Sequence, residues 1–310
     1  MTRPNTFLLG APKCGTTSLA AWLAEHPDIF VSVPKEPAYF CPRYGAHMSE
    51  AGYLGLFSRA GDAAIRIDAS TQYLRSPEAL RAINTFDPEA RFIIMARNPV
   101  DMVAAWHEQM IFNAAEDLTD LRDAWDAMPA RRRGERIPPN CAFPENLDYR
   151  AVCALGTQVR RLLTLVSSER VALFLLDDFK EAARTAYREV LSFLDLPDDG
   201  RTKFPVANAS KAPRSIIAAR VISGLGALKR RTGIASSTGL LSRASMANRI
   251  ERQRKPSSDE LIREMAETFA EEVMLLEQTF ARDLSGWGKT GVSPDRYAER
   301  RVEQAPRDAG

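Results

Sequence analysis

The chain has 310 residues, 45% of them hydrophobic and 26% charged, with 42 Lys or Arg against 40 Asp or Glu for a formal net charge of +2. These proportions are those of a folded domain and exclude a disordered tail protein, a collagen-like fibre and a coiled-coil rod. No apolar run approaches the roughly eighteen residues of a membrane-spanning helix, and the charge balance does not indicate bulk nucleic-acid binding.

In chain order, a short apolar run at Phe7–Leu9 follows Met1-Thr2-Arg3-Pro4. It lacks the long apolar core of a secretory signal and reads as the first β-strand of a cytoplasmic protein. Helical periodicity follows over Thr17–Ala24, then strand signals at Ile29–Val33 and Ile65–Ile67. Ser76-Pro77 opens a helix that runs to Phe86. A strand at Phe92–Met95 leads to a helix over Val100–Phe112. Beyond come a helix over Ala151–Val166, a strand at Val171–Leu176, a helix over Lys180–Leu194 and a long helix over Ser257–Phe280. Strands alternating with helices predict an α/β fold, a three-layer, doubly wound and mainly parallel sheet covered on both faces. Residues 1–288 are expected to form one domain. Residues 113–148, with Arg131-Arg132-Arg133 and Pro138-Pro139, read as a helical lid or insertion, and 289–310 as a disordered tail. The cysteines (Cys14, Cys41, Cys141, Cys153) and histidines (His26, His47, His107) show no metal-ligand spacing, so no metal is expected.

Charge is unevenly spread. Eleven of the 42 basic residues but one of the 40 acidic ones fall in 211–255, which leaves 31 basic against 39 acidic elsewhere. Apolar residues between those arginines make an amphipathic helix with a solvated basic face, or a segment that lies on an anionic membrane surface.

Phe7-Leu8-Leu9-Gly10-Ala11-Pro12-Lys13-Cys14-Gly15-Thr16-Thr17-Ser18 is the most informative stretch. A strand enters a tight Gly-containing turn and a helix follows. Unpaired amides at a helix start carry partial positive charge and hold anions. Hydroxyls at Thr16, Thr17 and Ser18 add donors, and Lys13 adds a mobile cation. The ligand predicted is therefore phosphorylated. A Walker A loop places its lysine directly after the second glycine, where this chain has Thr16; its lysine stands two residues before Gly15. A second anion contact is Arg97, which follows the apolar run Phe92–Met95, because ligands on open parallel sheets gather beyond the carboxyl ends of strands. A surface ion pair to Asp101 is the plainer role for the same side chain.

The order Pro-Lys-x-Gly-Thr-Thr-x-Leu resembles the 5′-phosphosulfate loop of bacterial sulfotransferases that use 3′-phosphoadenylyl sulfate (PAPS). Arg97-Asn98-Pro99-Val100-Asp101 is similar to that family's 3′-phosphate motif, although Ala105 stands where the family has a serine. Lys35-Glu36-Pro37, the stretch Ile67–Leu74, Asn208-Ala209-Ser210 with Pro213-Arg214, and Leu284–Trp287 also resemble family segments. The resemblance implies a P-loop-like fold and transfer of a sulfuryl group from PAPS to an acceptor hydroxyl of a carbohydrate, lipid or glycolipid. Adenosine 3′,5′-bisphosphate would be the product. Cofactor contacts would come from Lys13, Cys14, Gly15, Thr16, Thr17, Ser18 and Arg97, and from Lys211 and Arg214 in the late loop. Lys13 would stabilise the leaving phosphate. Glu36 is the first candidate for the base and His107 the second; Glu36 paired structurally with Lys35 or Arg97, and His107 as a half-buried helix residue, are the alternatives. A P-loop kinase and a non-catalytic anion-binding relative are the competing functions.

Overall fold

The computed structural model describes residues 2–44, 47–207, 211–213, 249–251 and 257–289. Five strands, β1 (Thr6–Gly10), β2 (Ile29–Val31), β3 (Ile65–Asp68), β4 (Arg91–Ala96) and β5 (Val171–Leu175), form one sheet in the order β2-β3-β1-β4-β5. All four pairings are parallel. A parallel strand covered on both faces needs apolar residues at every position rather than alternate ones. The two central strands meet that requirement, with β1 buried throughout and β4 buried after Arg91.

Helices α1 (Thr16–Leu23), α2 (Glu50–Gly55), α3 (Pro77–Phe86), α4 (Pro99–Phe112), α5 (Leu121–Asp126), α6 (Met128–Arg132), α7 (Tyr149–Cys153), α8 (Leu155–Leu163), α9 (Leu176–Phe193), α10 (Asp259–Phe280) and α11 (Gly286–Lys289) flank the sheet. Their starts are set by the expected chemistry. Ser49, Ser76, Asn98, Asp120 and Ser258 each accept a hydrogen bond from a first-turn amide, and Pro77 and Pro99 occupy first helical positions that need no donor. A two-stranded antiparallel ribbon, β6 (Lys211–Pro213) with β7 (Arg249–Glu251), lies against α4.

The α/β expectation is met, and the differences are local. The stretch expected as one helix over Ala151–Val166 is two, because Ala154 (φ −74°, ψ 65°) leaves the helical region after a first helix capped by Asp148. The strand from Ile29 stops at Val31; Pro34 has no amide to extend the ladder, and Val33 is solvent-exposed. Residues 113–148 contain α5 and α6, fastened from within. Glu116 and Arg131 form a buried two-pronged ion pair at 2.6 and 2.6 Å, and the Tyr149 hydroxyl donates to the same carboxylate at 2.6 Å. Trp125 donates to Glu264 at 2.8 Å, tying the insertion to α10. The basic stretch, apart from β6 and β7, and the tail from 290 onward lie outside the described residues.

Candidate active site

The connectivity creates a crevice before any side chain is considered. From β1 the chain leaves through α1 towards β2 on one side, and from β4 it leaves through α4 towards β5 on the other. Connections that diverge from adjacent parallel strands leave a cleft at their carboxyl ends, where ligands of such sheets bind. The turn Ala11–Gly15 and Arg97 stand at the two sides of this cleft, and the Ala11 amide ties the turn to β4 by donating to the Met95 carbonyl at 2.7 Å.

Gly10 has φ 135°, and a Cβ there would lie 2.9 Å from the backbone carbonyl oxygen of Thr71, so a larger residue would have to push backbone aside. Gly15 caps α1 from a left-handed conformation (φ 88°) and no side chain caps that helix, so its first amides face the turn. Lys13, itself at φ 65°, is exposed, and its Nζ donates to Gln109 Oε1 on α4 at 3.1 Å. Thr16 is buried and Thr17 half-buried at the helix start. Two neighbours have partners within the chain. Cys14 is fully buried with its Sγ 3.9 Å from Met102 Sδ, its amide donates to Ala11 O at 3.3 Å, and burial above all pushes the thiol up to about 12. The Ser18 hydroxyl accepts from the Ala207 amide at 3.0 Å, which docks the segment before residue 208 onto α1.

Arg97 is 16% exposed and reaches Asp101 only at 3.5 Å, while its Nε is buried with no hydrogen-bond partner among the described residues. A guanidinium that is desolvated and only loosely paired suits an anion not belonging to the chain. Ala105, buried on α4, carries no hydroxyl to complete such a contact. Glu36 lies on the other side of β1, its amide bonded to Ala69 O at 3.2 Å just beyond β3. Its carboxylate is paired with Lys35 at 2.7 Å and accepts from Thr71 Oγ1 at 3.3 Å. Because the Thr71 backbone also abuts Gly10, Glu36 and the phosphate turn share one neighbour.

His107 stands elsewhere. It is two residues from Gln109, about 200° around a helix, so the face of α4 that meets Lys13 is opposite the face that carries the imidazole. The ring is 4% exposed, bonded through Nε2 to Leu118 O at 2.8 Å and edge-on to Tyr149. Burial lowers its pKa, keeping it neutral. The side chain of Lys211 on β6 is not described, and Arg214 lies outside the described residues. Among the described residues no group of His, Cys, Asp or Glu gathers as a metal site, and no helix is long and apolar enough to cross a membrane.

Sequence reasoning missed Gln109 and Thr71, which touch Lys13 and Glu36. No sequence signal marked Gln109; Thr71 lies in the stretch Ile67–Leu74, whose resemblance to a family segment was the available signal.

An open parallel sheet with an uncapped helix start at its switch point, a lysine in the turn and an arginine after the neighbouring strand is an α/β domain with cationic groups gathered at the carboxyl ends of its strands. The chain belongs to the sulfotransferase domain family, whose model matches residues 3–213. A solved sulfotransferase from Alicyclobacillus acidocaldarius is similar over 93% of this chain and 99% of its own, with a TM-score of 0.65 and 25% identity. Heparan sulfate glucosamine 3-O-sulfotransferase 6 from Mus musculus is 31% identical over 108 residues, 35% of this chain and 31% of the relative. The Homo sapiens protein of the same name is 30% identical over the same length. The match thus spans about a third of these curated relatives.

Proposed function

We propose that this protein transfers a sulfuryl group from PAPS to an acceptor hydroxyl. The observation that carries the reading is the uncapped start of α1 facing the switch-point cleft, with Lys13 in its turn and the underpaired Arg97 across it. The amides of Thr16 and Thr17 and the Lys13 ammonium would receive the 5′-phosphate end of the donor, and Arg97 its 3′-phosphate. Lys211 and Arg214 would add contacts to its phosphates. The donor supplies a sulfuryl group on a phosphate anhydride.

Glu36 would take the proton of the acceptor hydroxyl as its oxygen bonds to sulfur. The bond from sulfur to the phosphate oxygen breaks, its electron pair stays on that oxygen, and Lys13 meets the charge that develops there. The buried, bonded imidazole of His107 favours Glu36 as the base. A saccharide hydroxyl is the acceptor class best supported, since the curated relatives are named for 3-O-sulfation of a glucosamine unit. A role for 211–255 at an anionic membrane surface rests on sequence alone.

The test follows ³⁵S from labelled PAPS into product. Lys13→Ala and Glu36→Gln should each lower turnover by about a hundredfold or more. Glu36→Gln should leave the calorimetric affinity for adenosine 3′,5′-bisphosphate unchanged. A crystal soaked with that nucleotide whose phosphates lie away from residues 13–18 would overturn the assignment.

A further inference from the structure

Glu36 sits in a backbone arch that its own sequence does not favour. Glu36 has φ 61° and Ala38 φ 49°, on either side of Pro37. Residues with a Cβ enter this left-handed region at a cost and stay only where surrounding groups hold them. The holding groups all come from one place. The amide of Glu36 donates to Ala69 O at 3.2 Å, that of Ala38 to Ser70 Oγ at 3.1 Å, and that of Phe40 to Tyr73 OH at 3.4 Å. Alternate amides of the arch therefore dock on the segment that follows β3, and two of the three acceptors are hydroxyls.

A hydroxyl has one hydrogen, and where it points decides whether the oxygen faces a neighbour as donor or acceptor. Here Asp68, the last residue of β3 and 0% exposed, decides. Its Oδ1 accepts from Ser70 Oγ at 2.6 Å, and its Oδ2 from Tyr73 OH at 2.9 Å and Tyr53 OH at 2.7 Å. With their hydrogens drawn to the carboxylate, Ser70 and Tyr73 present lone pairs to the arch amides. We infer that Asp68 is the positioning residue for Glu36, fixing the arch that carries the proposed base through the oriented hydroxyls of Ser70 and Tyr73. Burial, the largest influence, pushes the Asp68 carboxyl up to about 6 against the lowering effect of the three hydroxyls. Three hydroxyls converge on its two oxygens as donors, the partners a carboxylate takes as a pure acceptor. Tyr53 from α2, Tyr73 and Ser70 from the turn, Cys41 beyond the arch and Glu36 itself are the polar groups around it. The hydrogen bonds named here do not include the turn Ala11–Gly15, which meets the same segment where Gly10 approaches Thr71.

This inference rests on Glu36 acting as the base, and the test keeps the two apart. Full-length Asp68→Asn, Ser70→Ala and Ser70→Thr are made in the native chain, and Asp68→Asn also in a Glu36→Gln background. Turnover is read from ³⁵S-labelled PAPS with 2-naphthol as probe acceptor, counting naphthyl sulfate and free sulfate together. Asp68→Asn and Ser70→Ala should each lower kcat about tenfold or more, with affinity for adenosine 3′,5′-bisphosphate unchanged. Ser70→Thr should restore the rate, and Asp68→Asn should cost less than about twofold once Glu36 is Gln. Equal losses in both backgrounds, or an undiminished rate, would overturn the inference. Should Glu36→Gln itself retain turnover, the base assignment falls instead, and faster hydrogen exchange at the Ala38 amide in Asp68→Asn still reports whether Asp68 holds the arch.

Discussion

The ion pair inside residues 113–148 makes a prediction that can be sized. Glu116 is 0% and Arg131 2% exposed in their side chains. The carboxylate accepts both guanidinium prongs at 2.6 Å, the Tyr149 hydroxyl at 2.6 Å and the amides of Asp117 and Leu118 at 2.9 Å each. Glu116→Gln keeps the shape, leaves the buried Arg131 cation with the more distant Asp117 carboxylate at 3.9 Å, and turns one acceptor into a donor that faces donors. Breaking one half of a buried pair costs about 3–5 kcal/mol, a large share of the roughly 5–15 kcal/mol that holds a domain together. At roughly 2 cal/mol/K of unfolding entropy per residue, Tm should fall by about 5–8 °C for a chain of 310 residues. Replacing both partners, Glu116→Leu with Arg131→Met, should cost less than the single change, since no charge is left stranded. Burial raises the Glu116 pKa, but the bonds from Arg131 and Tyr149 outweigh it and hold the carboxyl below its ordinary value. A depressed folded pKa contributes stability above the unfolded value, lost as pH falls through the folded one. Native stability should therefore drop in acid more steeply than that of Glu116→Gln. Urea denaturation at neutral pH, repeated in acid, reads both effects. A Glu116→Gln protein within about 1 kcal/mol of native would refute the reasoning.

Arg97→Ala should raise the calorimetric Kd for adenosine 3′,5′-bisphosphate about ten- to a hundredfold, the worth of a charge-assisted hydrogen bond. Arg97→Lys should recover part of it, and an unchanged Kd would remove Arg97 from the nucleotide site. His107→Gln should lower Tm while leaving ³⁵S turnover per folded molecule within about threefold, as a packing residue does. A thousandfold loss at native Tm would make it the base in place of Glu36.

Residues whose role is set by neighbours in sequence were legible, and residues whose role is set across the fold were not. The turn at Lys13 could be read because strand, glycines and hydroxyl-bearing helix start are contiguous, and Arg97 because it directly follows an apolar run. Glu116 and Arg131, fifteen positions apart in a Pro- and Arg-rich stretch, look like surface charges until folding buries both. The break at Ala154 is equally hidden, since alanine favours helix; the close approach of α8 to α10, where a Cβ on Gly156 would collide with the Glu272 carbonyl, is a tertiary fact. Asp68 lies just past the strand signal at Ile65–Ile67, and its three hydroxyl partners come from three separate positions. The left-handed conformations of Lys13, Glu36 and Ala38 contradict what their side chains prefer. Such violations persist where surrounding structure enforces them and a task rewards them. Here they fall in the turn that presents the candidate cation and the arch that presents the candidate base. The Met95 carbonyl holds the Ala11 amide at 2.7 Å in the first, and the Ser70 hydroxyl holds the Ala38 amide at 3.1 Å in the second. Relaxing either segment would move a candidate reacting group, while Ala114, Arg136, Asp195 and Ala281 adopt the same conformation outside these two segments.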